Sequence, residues 1–195
     1  MTDKEAGKGF WKSLTTPGAK HAVLVLLVLG VVVGAGIVIG TQVMVSATGT
    51  NEFCGTACHE MQTALKELEE SSHGRNKTGV TASCHDCHIP HEYPANLIHK
   101  AYAGAKDVYH HLRGTLDTPE KYENNRARMA KAELERLKSR DSAECRHCHD
   151  AAKMDAALQS GIAARRHKEA AEKKKTCVEC HTGVAHNEAL EEEAK

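Results

Sequence analysis

The chain has 195 residues, with 26 basic and 26 acidic side chains, eight cysteines, fourteen histidines and only 4% aromatics. Its length permits one domain plus an anchor, and the balanced charge has no long basic stripe, so no nucleic-acid partner is expected. Few large hydrophobes lie outside residues 22–47, which leaves the soluble part poorly equipped to build an ordinary side-chain core.

The first organised feature is apolar. AVLVLLVLGVVVGAGIVIGTQVMVSA, from Ala22 to Ala47, contains no charge and exceeds the roughly 20 residues that cross a bilayer as a helix. A cleaved signal peptide is the competing reading, but its apolar region usually runs about 7–15 residues and ends in a small-x-small site. The length favours a retained transmembrane anchor over residues 21–47. Lys4, Lys8, Lys12 and Lys20 precede it, so the positive-inside tendency puts residues 1–20 in the cytoplasm and everything after residue 47 outside. Gly30-x-x-x-Gly34 and Gly36-x-x-x-Gly40 give a small-residue face that would allow a homo-oligomer through the span; ordinary membrane-helix glycine is the alternative.

Three stretches then repeat one pattern: Cys84-His85-Asp86-Cys87-His88, Cys145-Arg146-His147-Cys148-His149 and Cys177-Val178-Glu179-Cys180-His181. Each is C-x-x-C-H, the covalent attachment signature of c-type haem. The two thiols add to the haem vinyl groups and the adjacent histidine reaches one axial side of the iron. Zinc or disulfides would not require a histidine directly after every second cysteine. A fourth, irregular copy comes first: Cys54-Gly55-Thr56-Ala57-Cys58-His59 carries one extra residue between its cysteines. A bulged loop, eased by the conformational tolerance of Gly55, would let Cys54 reach its vinyl group. Four haems are therefore expected.

The four motif histidines, at 59, 88, 149 and 181, are separated by 29, 61 and 32 residues. This spacing predicts two dihaem units, residues 48–110 and 140–187, joined by a helical connector, with a charged tail at 188–195. Thr118-Pro119-Glu120 reads as the start of the connector helix, threonine as cap and proline in the first turn. Met129, Ala130, Leu134 and Leu137 follow at near-helical spacing and are expected to cover haem. Haem itself would be the core of a mainly α domain with irregular loops, a multihaem cytochrome c domain on a single N-terminal transmembrane helix. Closely packed haems make an electron-transfer wire.

Such irons are usually six-coordinate, so further ligands are sought among the remaining histidines: His21, His73, His91, His99, His110, His111, His167 and His186, with the spacer residues His85 and His147. His21 lies at the membrane edge and the spacers are held on the attachment loops, so these three are poor candidates. His73, His167 and His186 stand in polar sequence flanking haem sites.

At this point a resemblance becomes specific. CHEM at 58–61, NKTGVTASCHDCHIPHEYP at 76–94, HLRGTLDTPEKYENNRARMA at 111–130, ECRHCHDAAKMD at 144–155 and TCVECHTGVAH at 176–186 resemble the membrane-anchored tetrahaem quinol dehydrogenases of the NapC/NirT type, from residue 20 to 187. The resemblance implies four covalent haem c groups and quinol as substrate. It also implies a periplasmic reductase or soluble cytochrome as partner and a haem domain in the periplasm of a bacterial inner membrane. It implies Met61 rather than His59 as the protein ligand of the first haem, His88 with His186 on the second, His149 with His73 on the third, and His181 with His167 on the fourth. His91 matches a recurrent family histidine and is an alternative ligand or a support to one. Lys100 and Asp107 fall where the family places a lysine and an acid at the quinol pocket.

His59 and Met61 are two residues apart, about 200° around a helix, so one must yield. Two other readings stand beside quinol oxidation: the same wire feeding electrons into the quinone pool, or a catalytic nitrite or hydroxylamine reductase. The latter often has lysine in place of an attachment histidine, and all four sites here carry histidine. No terminal reductase activity is expected.

Overall fold

The computed structural model describes residues 17–187; Lys4, Lys8, Lys12 and the charged tail lie outside the described residues. The chain divides after Ala47 into two compact units. In the first, α1 runs from Pro17 to Ala47. Its 28 residues from Lys20 form the one helix among those described that is long and apolar enough to cross a membrane, and they rise about 42 Å against a hydrocarbon core of about 30 Å. Its side chains are open all round, Val31 being 70% exposed, as a helix without a protein partner requires.

The second unit is helical, with no strand among the described residues. Helix α2, Asn51–Ala57, is capped by the Thr50 hydroxyl, which accepts from Phe53 N–H at 3.0 Å. A 3₁₀ turn, His59–Met61, leads into α3, Gln62–Glu70. Next come α4, Cys84–His88, and the long α5, Ala95–Leu112. The connector is α6, Pro119–Ser139, where Thr118 accepts from Lys121 N–H and Pro119 occupies the first turn, as the sequence predicts. Helices α7, Ala143–Cys148, and α8, Gly161–Glu172, follow, and a 3₁₀ turn, Cys177–Glu179, carries the last attachment site.

Among the described residues Leu68 and Pro90 are the only buried apolar side chains, while Leu112, Leu158 and Ile162 are 79%, 87% and 69% exposed. Met129, Ala130, Leu134 and Leu137 on α6 are half-buried, facing inward without an apolar side-chain core to meet.

Charge supplies what packing does not. The Glu144 side chain, 1% exposed, accepts from Arg136 at 3.1 Å and Arg140 at 2.7 Å, and Arg136 also donates to the Cys87 carbonyl at 2.9 Å. One carboxylate thereby ties α6, α7 and α4 together. Burial raises the Glu144 pKa, but hydrogen bonds from Arg140, its own backbone and Arg136 outweigh it and hold the carboxyl below its ordinary value of 4.5. A depressed pKa contributes stability that is complete above the unfolded value and is lost as pH falls through the folded one. Acid unfolding below about pH 4.5 should therefore lose steepness in Glu144→Gln, measured by helical circular dichroism during acid titration.

Candidate haem sites and the surroundings of the first

The attachment cysteines sit on single helical turns, and two of those turns cap themselves. Ser83 with Asp86, and Thr176 with Glu179, form reciprocal capping boxes. The acid that precedes each second cysteine is thus a structural part of its loop. This pattern was legible in the sequence and went unread.

The first site differs from the bulge expected for it. Cys54 lies within α2 and Cys58 is its C-terminal cap. The backbone of Cys58 is extended, so the extra residue is taken up within the last turn of α2 and not in a bulged loop. Gly55 is buried, and a Cβ there would collide with Leu65 Cδ2. Glycine is needed for close approach of α2 to α3, where conformational freedom was the expectation.

The four sites form a series. The Cys54 and Cys84 thiols interact, Cys87 feels Cys145 and Cys148, and Cys145 feels Cys177. The long α6 folds back so that the second and third sites abut, and His91 and His147 stack at 3.8 Å with planes 7° apart.

Each regular attachment histidine faces a second imidazole. Ring centroids are 6.1 Å apart for His88 and His186, 6.1 Å for His73 and His149, and 6.0 Å for His167 and His181. Metal–imidazole bonds of about 2 Å place two ring centres about 6 Å apart with one metal between, so these residues fit an iron. The tautomers agree. His73 Nδ1 is 3.1 Å from the Val184 carbonyl, His88 Nδ1 is 3.1 Å from Glu133 and His167 Nδ1 is 2.7 Å from the Gln159 amide oxygen. These oxygens only accept, so Nδ1 carries the proton and Nε2 keeps its lone pair for a metal. Glu133 is fit for this: burial opposes its charge, but hydrogen bonds from His88 and Arg136 bring its pKa to about 2.

His186 is placed by Glu67, whose carboxylate lies 3.7 Å from its Nδ1 and accepts from the Asn187 backbone and amide at 3.2 and 3.0 Å. Arg126 grips the same carboxylate at 2.9 and 2.7 Å. Sequence reasoning missed Glu67 and Glu133, because no local pattern links residues 119 or 45 positions apart, and Gln159, because a glutamine eight residues before a histidine is no recognised signal. His91 faces no attachment histidine: its Nε2 donates to the Asp86 carbonyl at 3.0 Å and its ring lies on His147.

Lys100 and Asp107, seven apart on α5, both turn toward the first site. Cys54 feels the charges of both, and Cys58 that of Asp107. Asp107 is open to solvent in the bare polypeptide, yet the surrounding protein atoms raise its carboxyl above the ordinary value by desolvation, against the pull of Lys106, His110 and His88. Burial likewise draws the Lys100 ammonium down, with Cys54 opposing. Met61 is half-buried at the end of its 3₁₀ turn.

Residues 16–191 match the NapC/NirT cytochrome c family, N-terminal region. A tetrahaem c-type cytochrome of Allochromatium vinosum is 49% identical over 168 residues, 85% of this chain and 90% of that one. The cytochrome c-type protein NapC of Escherichia coli (strain K12) is 39% identical over 188 residues, 95% and 92% of the two chains. Among solved structures, a chain of the cytochrome c nitrite reductase NrfHA complex bound to the HQNO inhibitor is similar, with 30% identity and a TM-score of 0.47 over 85% of this chain and 90% of that one.

Proposed function

Since the chain belongs to the NapC/NirT cytochrome c family, we propose that it oxidises membrane quinol beside its first haem site and delivers the electrons to a reductase or soluble cytochrome in the periplasm. It is a c-type cytochrome with covalently bound haem and one apolar N-terminal helix that serves as its anchor. The haems, when bound, supply one-electron redox centres along the series of attachment sites.

This chain's residues do the rest. Cys54, Cys58, Cys84, Cys87, Cys145, Cys148, Cys177 and Cys180 would hold the four groups; His88 with His186, His149 with His73, and His181 with His167 would supply nitrogen ligands at sites two to four. Residues 21–47 cross the membrane, residues 1–20 lie in the cytoplasm, and 48–187 form the periplasmic domain.

What supports quinol oxidation is that the charges of Lys100 and Asp107 both reach Cys54, and that of Asp107 also reaches Cys58. Oxidising a quinol releases two electrons and two protons, and the protons need an acceptor at the point of electron loss. Asp107, its carboxyl raised by desolvation, is closer than an ordinary surface carboxylate to the proton affinity this requires. Lys100, its side chain half-buried, donates a hydrogen bond to a quinone oxygen and fixes the ring. The proton then leaves from Asp107 toward solvent, to which its carboxyl is open.

The test is stopped-flow reduction of the purified, detergent-solubilised protein by a water-soluble quinol analogue. Reduction of every haem at a rate that saturates with quinol is expected. A protein reduced by dithionite and inert to quinol contradicts the reading.

A further inference from the structure

We propose that His59, Glu60 and His111 form a binding site for one divalent transition-metal cation of the zinc class, separate from the haem irons. The site uses a His59 side chain that is not bound to the first iron, the arrangement that Met61 as that haem's protein ligand implies. It does not depend on quinol chemistry.

Three observations carry it. The first is convergence. Glu60 Oε1 lies 3.4 Å from His59 Nε2 and 2.7 Å from His111 Nδ1, and the donor atoms of the three residues all fall within 4.8 Å of one another. Zinc bonds of about 2.0–2.2 Å in a tetrahedral shell set neighbouring donors about 3.3 Å apart, so a modest opening of the Glu60–His111 contact makes room for an ion. Among the described residues this is the one group of three histidine, cysteine or acidic side chains so placed. The other histidine–carboxylate contacts, His88 with Glu133 and His186 with Glu67, have no such third donor.

The second is an unsatisfied carboxylate. The Glu60 side chain is 9% exposed, yet its Oε2 has no hydrogen-bond partner. A carboxylate buried this far is costly without positive charge close by, and the two imidazoles supply that charge only when protonated. A dication supplies it directly. It takes the place of the proton between His111 Nδ1 and Glu60 Oε1, and that proton leaves to solvent.

The third is the donor set and where it stands. Two imidazoles and one carboxylate are the ligands of open zinc sites, which keep a fourth position for water, whereas calcium and magnesium take shells of oxygen. Both rings are partly exposed, so an ion can enter from solvent and the rings can adjust to it. His59 and Glu60 stand on the 3₁₀ turn His59–Met61, and His111 on the last turn of α5. An ion held by all three pins the end of α5 to the turn that carries Met61.

The test is zinc binding to the full-length, haem-loaded protein in detergent, stripped with a chelator and dialysed against zinc chloride. Intact mass counts the haems, and X-ray absorption at the zinc edge reads the ligands. Wild type should retain one zinc per chain, with two imidazoles and otherwise only oxygen in its shell, and an unchanged haem spectrum. His111→Ala and Glu60→Gln, each with the wild-type number of haems, should bind zinc at least about tenfold more weakly, the least that loss of even a supporting residue costs a metal site. No zinc retained by wild type, a shell containing sulfur, or two variants that bind as wild type does would each overturn the site. So would a shell with a single imidazole, which would leave His59 on the first iron. The wild-type shell decides the matter even if a variant fails to mature.

Discussion

Asp107→Asn is expected to slow reduction by a quinol analogue about 10²–10⁴-fold, the usual contribution of a positioned acid or base, while dithionite still reduces every haem. The substitution keeps size and hydrogen bonding but removes the proton acceptor. Quinol is a poor one-electron donor until a proton begins to leave, so losing the acceptor burdens the first electron most. The ion pairs that tie the soluble helices together run through Glu144 and Glu67, so the haems and their series should survive. Normal quinol reduction in this variant would remove Asp107 from the chemistry.

The second large effect is on folding. A chain with all eight cysteines changed to serine should leave residues 48–187 unfolded, while α1 stays helical in detergent. Full burial of one leucine contributes about 1.5–3 kcal/mol, and Leu68 and Pro90 are the only apolar side chains buried among the described residues. Ordering a backbone costs about 1–2 kcal/mol per residue, far beyond what that cluster and a few ion pairs offset. Haem must therefore supply the missing apolar surface. Hydrogen exchange should show fast amide exchange throughout the soluble unit; slow exchange in α5 and α6 would mean that the polypeptide folds by itself.

Much of this was legible because haem attachment and membrane spanning are local demands. A run from Ala22 to Ala47 without charge, three C-x-x-C-H repeats and Thr118-Pro119 at the connector each carry their meaning within a few residues. The tertiary partners do not. His88 finds Glu133 and His186 finds Glu67 through folding, and no spacing announces either. The first site shows the limit most clearly. Its extra residue looked like a bulge, but it is taken up in the helical winding of α2, which ends just before Cys58. Gly55 is small because Leu65 presses on it.

Everything above depends on four haems being held by this chain, the irregular first site included. Intact mass spectrometry of the denatured, membrane-extracted protein tests that most directly. The mass should exceed that of the polypeptide by four haem groups, all of which survive denaturation because they are thioether-bound. A mass carrying three haems, with Cys54 and Cys58 both free to alkylation, would contradict the account at the site where quinol oxidation is placed.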